Sequence, residues 1–100
     1  MIAAFSITPV GAGESVGELV AEAVRVVRES GLPCETNAMF TNVEGSWDEV
    51  MAVLKGCVER LSGSAPRLSV VVKLDVRPGA PGGQLTGKVE RIGRLLSPVR

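Results

Sequence analysis

The chain has no histidine and no tyrosine, and Phe5, Phe40 and Trp47 are its only aromatic residues. Without histidine, Ser-His-Asp and Cys-His nucleophiles, H-E-x-x-H zinc chemistry and imidazole proton relays are excluded. Cys34 and Cys57, the only cysteines, form no C-x-x-C pair and cannot supply the four nitrogen or sulfur ligands of a structural zinc site. No metal and no cofactor is predicted. So few aromatics cannot build the stacking platform that holds single-stranded nucleic acid. Eleven basic residues balance eleven acidic ones, which removes the positive field that draws nucleic acid or an anionic membrane. No apolar run approaches the roughly 20 residues of a membrane span. The start Met1-Ile2-Ala3-Ala4-Phe5 lacks the charged, then longer apolar, pattern of a signal peptide. A cytoplasmic location is therefore expected, with both cysteines kept as small apolar groups rather than bridged.

What is present fits an ordinary globular domain. Hydrophobic residues make up 45% of the 100 positions and charged residues 22%, a mixture that rules out disorder, collagen and coiled coil. This length supports one core over residues 1–100. Surface scaling gives roughly 9,500 Å² buried on folding, so a lone monomer would be modestly stable and association of copies would help.

Residues 2–9 are apolar and partly β-branched and are stopped by Pro9 and Gly11-Ala12-Gly13, which reads as a first strand. Ser15 with Glu18 has the spacing of a capping box, and Val16, Leu19, Val20, Ala23, Val24 and Val27 recur at helical spacing up to Gly31. A helix over about 15–30 follows, with Glu22 and Arg25 one turn apart on its wet face. Residues 34–45 accommodate two short strands and a tight turn. Ser46 and Glu49 form a second capping box, after which Trp47, Val50, Met51, Leu54, Cys57, Val58 and Leu61 trace an apolar stripe to Gly63. Residues 67–77 alternate, with Leu68, Val70, Val72, Leu74 and Val76 on one side and Ser69, Val71, Lys73, Asp75 and Arg77 on the other. A loop rich in glycine and proline leads to a short C-terminal helix carrying Leu85, Val89, Ile92 and Leu96, which Pro98 ends. The order is βαββαβ plus a tail helix, an α+β, ferredoxin-like fold with a four-stranded antiparallel sheet in the order 4-1-3-2.

Strand phase then sorts the polar groups. If Phe5 and Ile7 face the helices, Ser6 and Thr8 face the open side; if Val43 faces inward, Asn42 and Glu44 join them. Lys73 and Asp75 share that face, and Asn37 extends it, so that these groups are expected to sit side by side as a patch for a polar ligand. Glu44, a carboxylate on a central strand, is its sharpest member, because desolvation there calls for a dedicated partner. An open antiparallel face is also polar simply because water touches it. Lys73 and Asp75, two apart on one strand, read most simply as each other's partners. Gly11, Gly13 and Gly17 miss dinucleotide-loop spacing, and Gly82 with Gly87-Lys88 lacks the hydroxyl and strand-to-helix setting of a P-loop.

The segments Ser6-Ile7-Thr8-Pro9-Val10-Gly11, Ser30-Gly31-Leu32, Thr41-Asn42-Val43-Glu44-Gly45, Asp48-Glu49-Val50 and Val72-Lys73-Leu74-Asp75-Val76-Arg77 resemble the small thiamine-binding proteins of the YkoF-like, MTH1187 type. The resemblance spans nearly the whole chain. It departs at Phe40, where the family often has glycine, and at Val76, where the family's K-x-D-D-R stretch has a second acid. It implies a ferredoxin-like subunit that assembles into dimers or tetramers and binds thiamine or its hydroxymethylpyrimidine part without turnover. On that reading Glu44 engages a ring nitrogen, Asn37, Ser6 or Thr8 meets the exocyclic amine, and Glu44 with Asp75 favours the thiazolium cation. Two rivals stand beside it. One is an oligomeric interaction module without a small-molecule ligand; the other is a small hydrolase or cofactor-free oxygenase using Glu44, Lys73 and Asp75.

Overall fold

The structure, a computed structural model, describes residues 1–97. Its elements are β1 (Ile2–Val10), α1 (Val16–Glu29), β2 (Cys34–Thr36), β3 (Thr41–Glu44), α2 (Trp47–Ser62), β4 (Arg67–Asp75) and α3 (Gln84–Leu96). The four strands form one antiparallel sheet in the order β2-β3-β1-β4, as the ferredoxin-like pattern requires. The expected stop at Pro98 lies outside the described residues.

One face of the sheet packs on α1 and α2. Period-2 alternation sends Ala3, Phe5 and Ile7 of β1 into that core, where they meet Val43, Val27, Val50, Cys57 and Leu61. The Cys57 thiol donates to the Ala23 carbonyl at 3.4 Å, tying α2 to α1, and burial pushes its pKa up to about 11. Both cysteines are free thiols. Across the helix surface Glu22 forms an ion pair with Arg25 (3.4 Å) and accepts from Arg60 (3.1 Å), exposed pairs of small energetic weight.

Pro9 sits inside β1, which a central strand normally forbids. The register explains the tolerance: β1 pairs with β4 from Ile2 to Val10, but with β3 only from Ile2 to Phe5. Beyond Phe5 one edge of β1 has no strand partner, and a missing donor there costs nothing. Gly11 then turns the chain at φ +80°, where a Cβ would stand 2.8 Å from Pro66 Cγ.

The two capping boxes fare differently. Ser46 has an extended backbone (φ −70°, ψ 167°), accepts from the Glu49 N–H, and receives the Glu49 carboxylate on its own N–H. Ser15 makes no such bond, because the chain enters α1 through a 3-10 turn over Gly13–Ser15 that leaves Ser15 nearly helical (φ −85°, ψ 7°). A side-chain cap needs the extended conformation. The apolar stripe of α2 is also rotated from expectation. Val50, Val53, Cys57 and Leu61 are buried, whereas Trp47 and Val58 stay exposed, since a period near 3.6 from Val50 selects the former set. The last strand ends at Asp75, two residues before the expected Arg77.

The molecule is extended for its size. Its radius of gyration is 15.6 Å, against about 13 Å for a compact chain of this length. The accessible surface is 6738 Å², against roughly 5,400 Å² from size scaling. The excess comes with apolar residues left outside the core, namely Val71 on β4 and Val89, Ile92, Leu95 and Leu96 on α3. These cap assignments predict that Ser46→Ala costs about 1 kcal/mol in a denaturant titration while Ser15→Ala changes stability by only a few tenths. Equal losses would contradict them.

Candidate ligand-binding site

Antiparallel pairing decides which of the expected polar residues meet. Glu44 lies opposite Ile2 and Asn42 opposite Ala4, while Ile2 and Ala4 lie opposite Asp75 and Lys73 on the other side. Parity therefore places Asn42, Glu44, Lys73 and Asp75 on the face away from α1 and α2. Ser6 and Thr8 have the same parity but are four and six residues further along β1 from Ile2, roughly 13 and 20 Å at the strand rise. Asn42, opposite Ala4, is a diagonal neighbour of Ser6, but Glu44 and Thr8 lie too far apart for the expected side-by-side patch of Ser6, Thr8, Asn42 and Glu44 to close. Because β3 runs against β1, its last residue meets the first residue of β1, and the polar groups divide between two ends of the sheet.

At one end Glu44 is only 7% exposed and holds the start of α3. The Gln84 N–H donates to Glu44 Oε2 at 3.0 Å and the Leu85 N–H to Oε1 at 3.1 Å. The N-cap position of α3 is Gly83, with φ +82° and no side chain. The carboxylate of a distant strand thus does what a local Ser or Asp usually does, with the added attraction of a negative charge to the positive end of the helix. Beside it the Asp75 carboxylate bonds Lys88 of α3, not Lys73 as the spacing on β4 had led us to expect. The sequence pattern had no means of placing α3 over the sheet. The hydrogen bond from Lys88, and then its charge, hold the Asp75 carboxyl below the usual carboxylate range. Arg77 Nη1 donates to Gln84 Oε1 at 3.3 Å. These groups, with Met1, Pro33 and the loop before α3, line a cavity of about 250 Å³. Asn42 and Lys73 line a neighbouring recess between α3 and the sheet.

At the other end a cavity of about 220 Å³ runs along the unpaired edge of β1. Because it follows an edge rather than a face, residues of both parities line it, Ser6 and Thr8 as well as Phe5 and Ile7. Val20 and Val24 of α1 supply apolar wall, and the β2–β3 turn from Asn37 to Phe40 closes the far side. Asn37 shapes that turn: its Oδ1 accepts from the Met39 and Phe40 N–H groups at 2.9 and 3.0 Å, which commits the oxygen and leaves the Nδ2 donors. Thr36 and Thr41 hydroxyls lie 3.2 Å apart on the same wall. No charged side chain lines this cavity. Sequence reasoning found Ser6, Thr8 and Asn37 but missed Thr36, Thr41 and Phe40 as lining residues. Their signal was the four-residue turn between two very short strands, which places both turn flanks beside the longer β1.

Comparison with known proteins gives the following. The family model described as thiamine-binding protein matches residues 3–93. A UPF0045 protein of Mycobacterium bovis is 54% identical over 97 residues, covering 96% of this chain and 94% of that one. A UPF0045 protein of Methanocaldococcus jannaschii is 33% identical over 95 residues, covering 95% and 94%. The crystal structure of a hypothetical protein from Methanocaldococcus jannaschii superposes with a TM-score of 0.80 at 33% identity, covering 92% of this chain and 94% of that one. A Thermotoga maritima protein, provisionally assigned to thiamine biosynthesis or salvage, shares the fold with a TM-score of 0.80 at 21% identity, covering 91% and 96%.

The role of Glu44 as a remote helix cap is open to direct test. Glu44→Gln keeps one acceptor but presents an amide donor to the second helix N–H, so it should cost about 1–3 kcal/mol. Hydrogen exchange at Gln84 and Leu85 should accelerate while the amides of α2 keep their protection. Unchanged exchange at the start of α3 would contradict the assignment.

Proposed function

This chain belongs to the thiamine-binding protein family, and from that premise we propose that it binds thiamine or its hydroxymethylpyrimidine part in the uncharged cavity beside β1. In this reading it is a non-enzymatic, cytoplasmic homo-oligomer. The observation that carries the proposal is the late start of β3. With the last β1–β3 pair at Phe5 and Thr41, the second half of β1 offers the Ile7 N–H and the Ile7 and Pro9 carbonyls, which no strand takes up.

An aminopyrimidine carries an exocyclic amine donor next to a ring-nitrogen acceptor, which is the alternation that an open strand edge presents. Ser6, Thr8 and the Asn37 amide donors complete the polar contacts. Phe5, Phe40 and Val24 supply apolar surface for the ring faces. The absence of charge in the lining favours the neutral ring over the cationic one. At about 220 Å³ the cavity is below the roughly 300 Å³ at which sites for whole drug-sized ligands begin. It takes one ring, and the thiazolium stays hydrated at the mouth. Glu44 and Asp75 hold α3, and Asn42 and Lys73 line the recess beside it, so none of the four belongs to this cavity's lining.

Calorimetry on the ligand-free protein tests this. Thiamine and hydroxymethylpyrimidine should both bind and be recovered unchanged, while the thiazole half alone should not bind. Thr8→Val and Asn37→Ala should weaken affinity about five- to tenfold each, the size of one hydrogen bond. Glu44→Gln should leave affinity within about twofold. Affinity lost through Glu44→Gln and untouched by Thr8→Val would move the site to the start of α3. No binding by the wild type would favour the ligand-free interaction module.

A further inference from the structure

We propose that the open face of the sheet carries a second binding site, for an α-amino acid with an aliphatic side chain, on the row of residues that crosses the four strands at Ala4. This goes beyond the pyrimidine reading above and does not depend on it. Strand pairing sets Glu35 of β2 opposite Asn42, Asn42 opposite Ala4, and Ala4 opposite Lys73 of β4. All four share the parity that points away from α1 and α2. From one edge of the sheet to the other the row therefore reads carboxylate, amide, methyl, ammonium.

The two charges are not each other's partners. Three strand spacings separate Glu35 from Lys73, roughly 14 Å between Cα atoms, and among the described residues neither forms an ion pair. The carboxylate nearest to Lys73 along β4, that of Asp75, is taken by Lys88. Ala4 has no side chain beyond Cβ, so the middle of the row is a floor. One row away Glu44 holds the start of α3, and Leu85 and Val89 of that helix stand beside the floor as an apolar wall. Together these residues line a recess of about 280 Å³ with a carboxylate at one end and an ammonium at the other.

A small zwitterion is the complement of this arrangement. Its ammonium donates to the Glu35 carboxylate and to Asn42 Oδ1, and its carboxylate accepts from the Lys73 ammonium. An aliphatic side chain then lies on Ala4 and covers Leu85 and Val89, the latter 67% exposed in the free chain. The long side chains at both ends reach inward over Ala4. The space left between their charged groups suits a ligand whose own charges sit on neighbouring atoms, as in an α-amino acid. An anion or an amine alone engages one end only.

Calorimetry on the full chain with L-leucine tests this. L-leucine should bind, while isocaproate, which lacks the amine, and isoamylamine, which lacks the carboxylate, should each bind about tenfold or more weakly, the size of one charge-assisted bond. Glu35→Gln and Lys73→Met should each weaken L-leucine by a similar factor and leave hydroxymethylpyrimidine affinity unchanged, so that failure of the pyrimidine reading is seen separately. Both residues are exposed, so the fold does not depend on either. Ala4→Leu, which fills the floor, should abolish leucine binding. If that variant misfolds by circular dichroism, amide shifts at Ala4, Asn42 and Lys73 on titrating the wild type with L-leucine support the same site, and their absence counts against it. No binding of L-leucine by the wild type, or binding indifferent to both Glu35→Gln and Lys73→Met, would overturn the inference. So would equal binding of isocaproate, which would leave a site for simple anions.

Discussion

The unequal length of two neighbouring strands organises this molecule. β1 runs for nine residues and β3 for four, and the register aligns them at the start of β1. Half of the central strand is therefore sealed on both sides and half on one. The sealed half contributes Ala3 and Phe5 to the core; the open half tolerates Pro9 and borders the uncharged cavity. The hairpin that produces the mismatch is set by Asn37, whose side-chain oxygen takes up two backbone N–H groups of the turn and so fixes where β3 begins.

The same alignment puts the end of β3 beside the start of α3. Glu44 would be an expensive carboxylate at 7% exposure were it not for the two helix N–H groups that it accepts. In return it holds a helix whose own N-cap residue has no side chain. Few other contacts anchor α3, and its later apolar residues stand clear of the sheet. Buried charge at this position is thus a positional device, and its chemistry is already committed within the subunit.

Much of this was legible in the sequence. Alternation in residues 2–9 and 67–77 and the apolar period of the two long helices determined element order, strand phase and which face Asn42, Glu44, Lys73 and Asp75 occupy. Strand phase alone could not say how far along the sheet two residues lie, which is a matter of register; Ser6 and Glu44 share a parity and yet are four residue positions apart along the strand direction. The placement of α3 was also beyond the local pattern, because the contact that fixes it joins residues 40 apart, Glu44 and Gln84. Ser15 shows the converse limit: its spacing to Glu18 suits a capping box, but the backbone angles of the preceding 3-10 turn decide against it.

The account stands on the unpaired half of β1 being the place where the pyrimidine ring binds. The most direct measurement is an amide-resolved NMR titration with hydroxymethylpyrimidine. The account predicts that the largest shifts cluster at Ser6, Thr8, Asn37 and Phe40, with Gln84 and Leu85 unmoved. Shifts concentrated at Gln84, Leu85 and Glu44, with the far end of β1 silent, would contradict it.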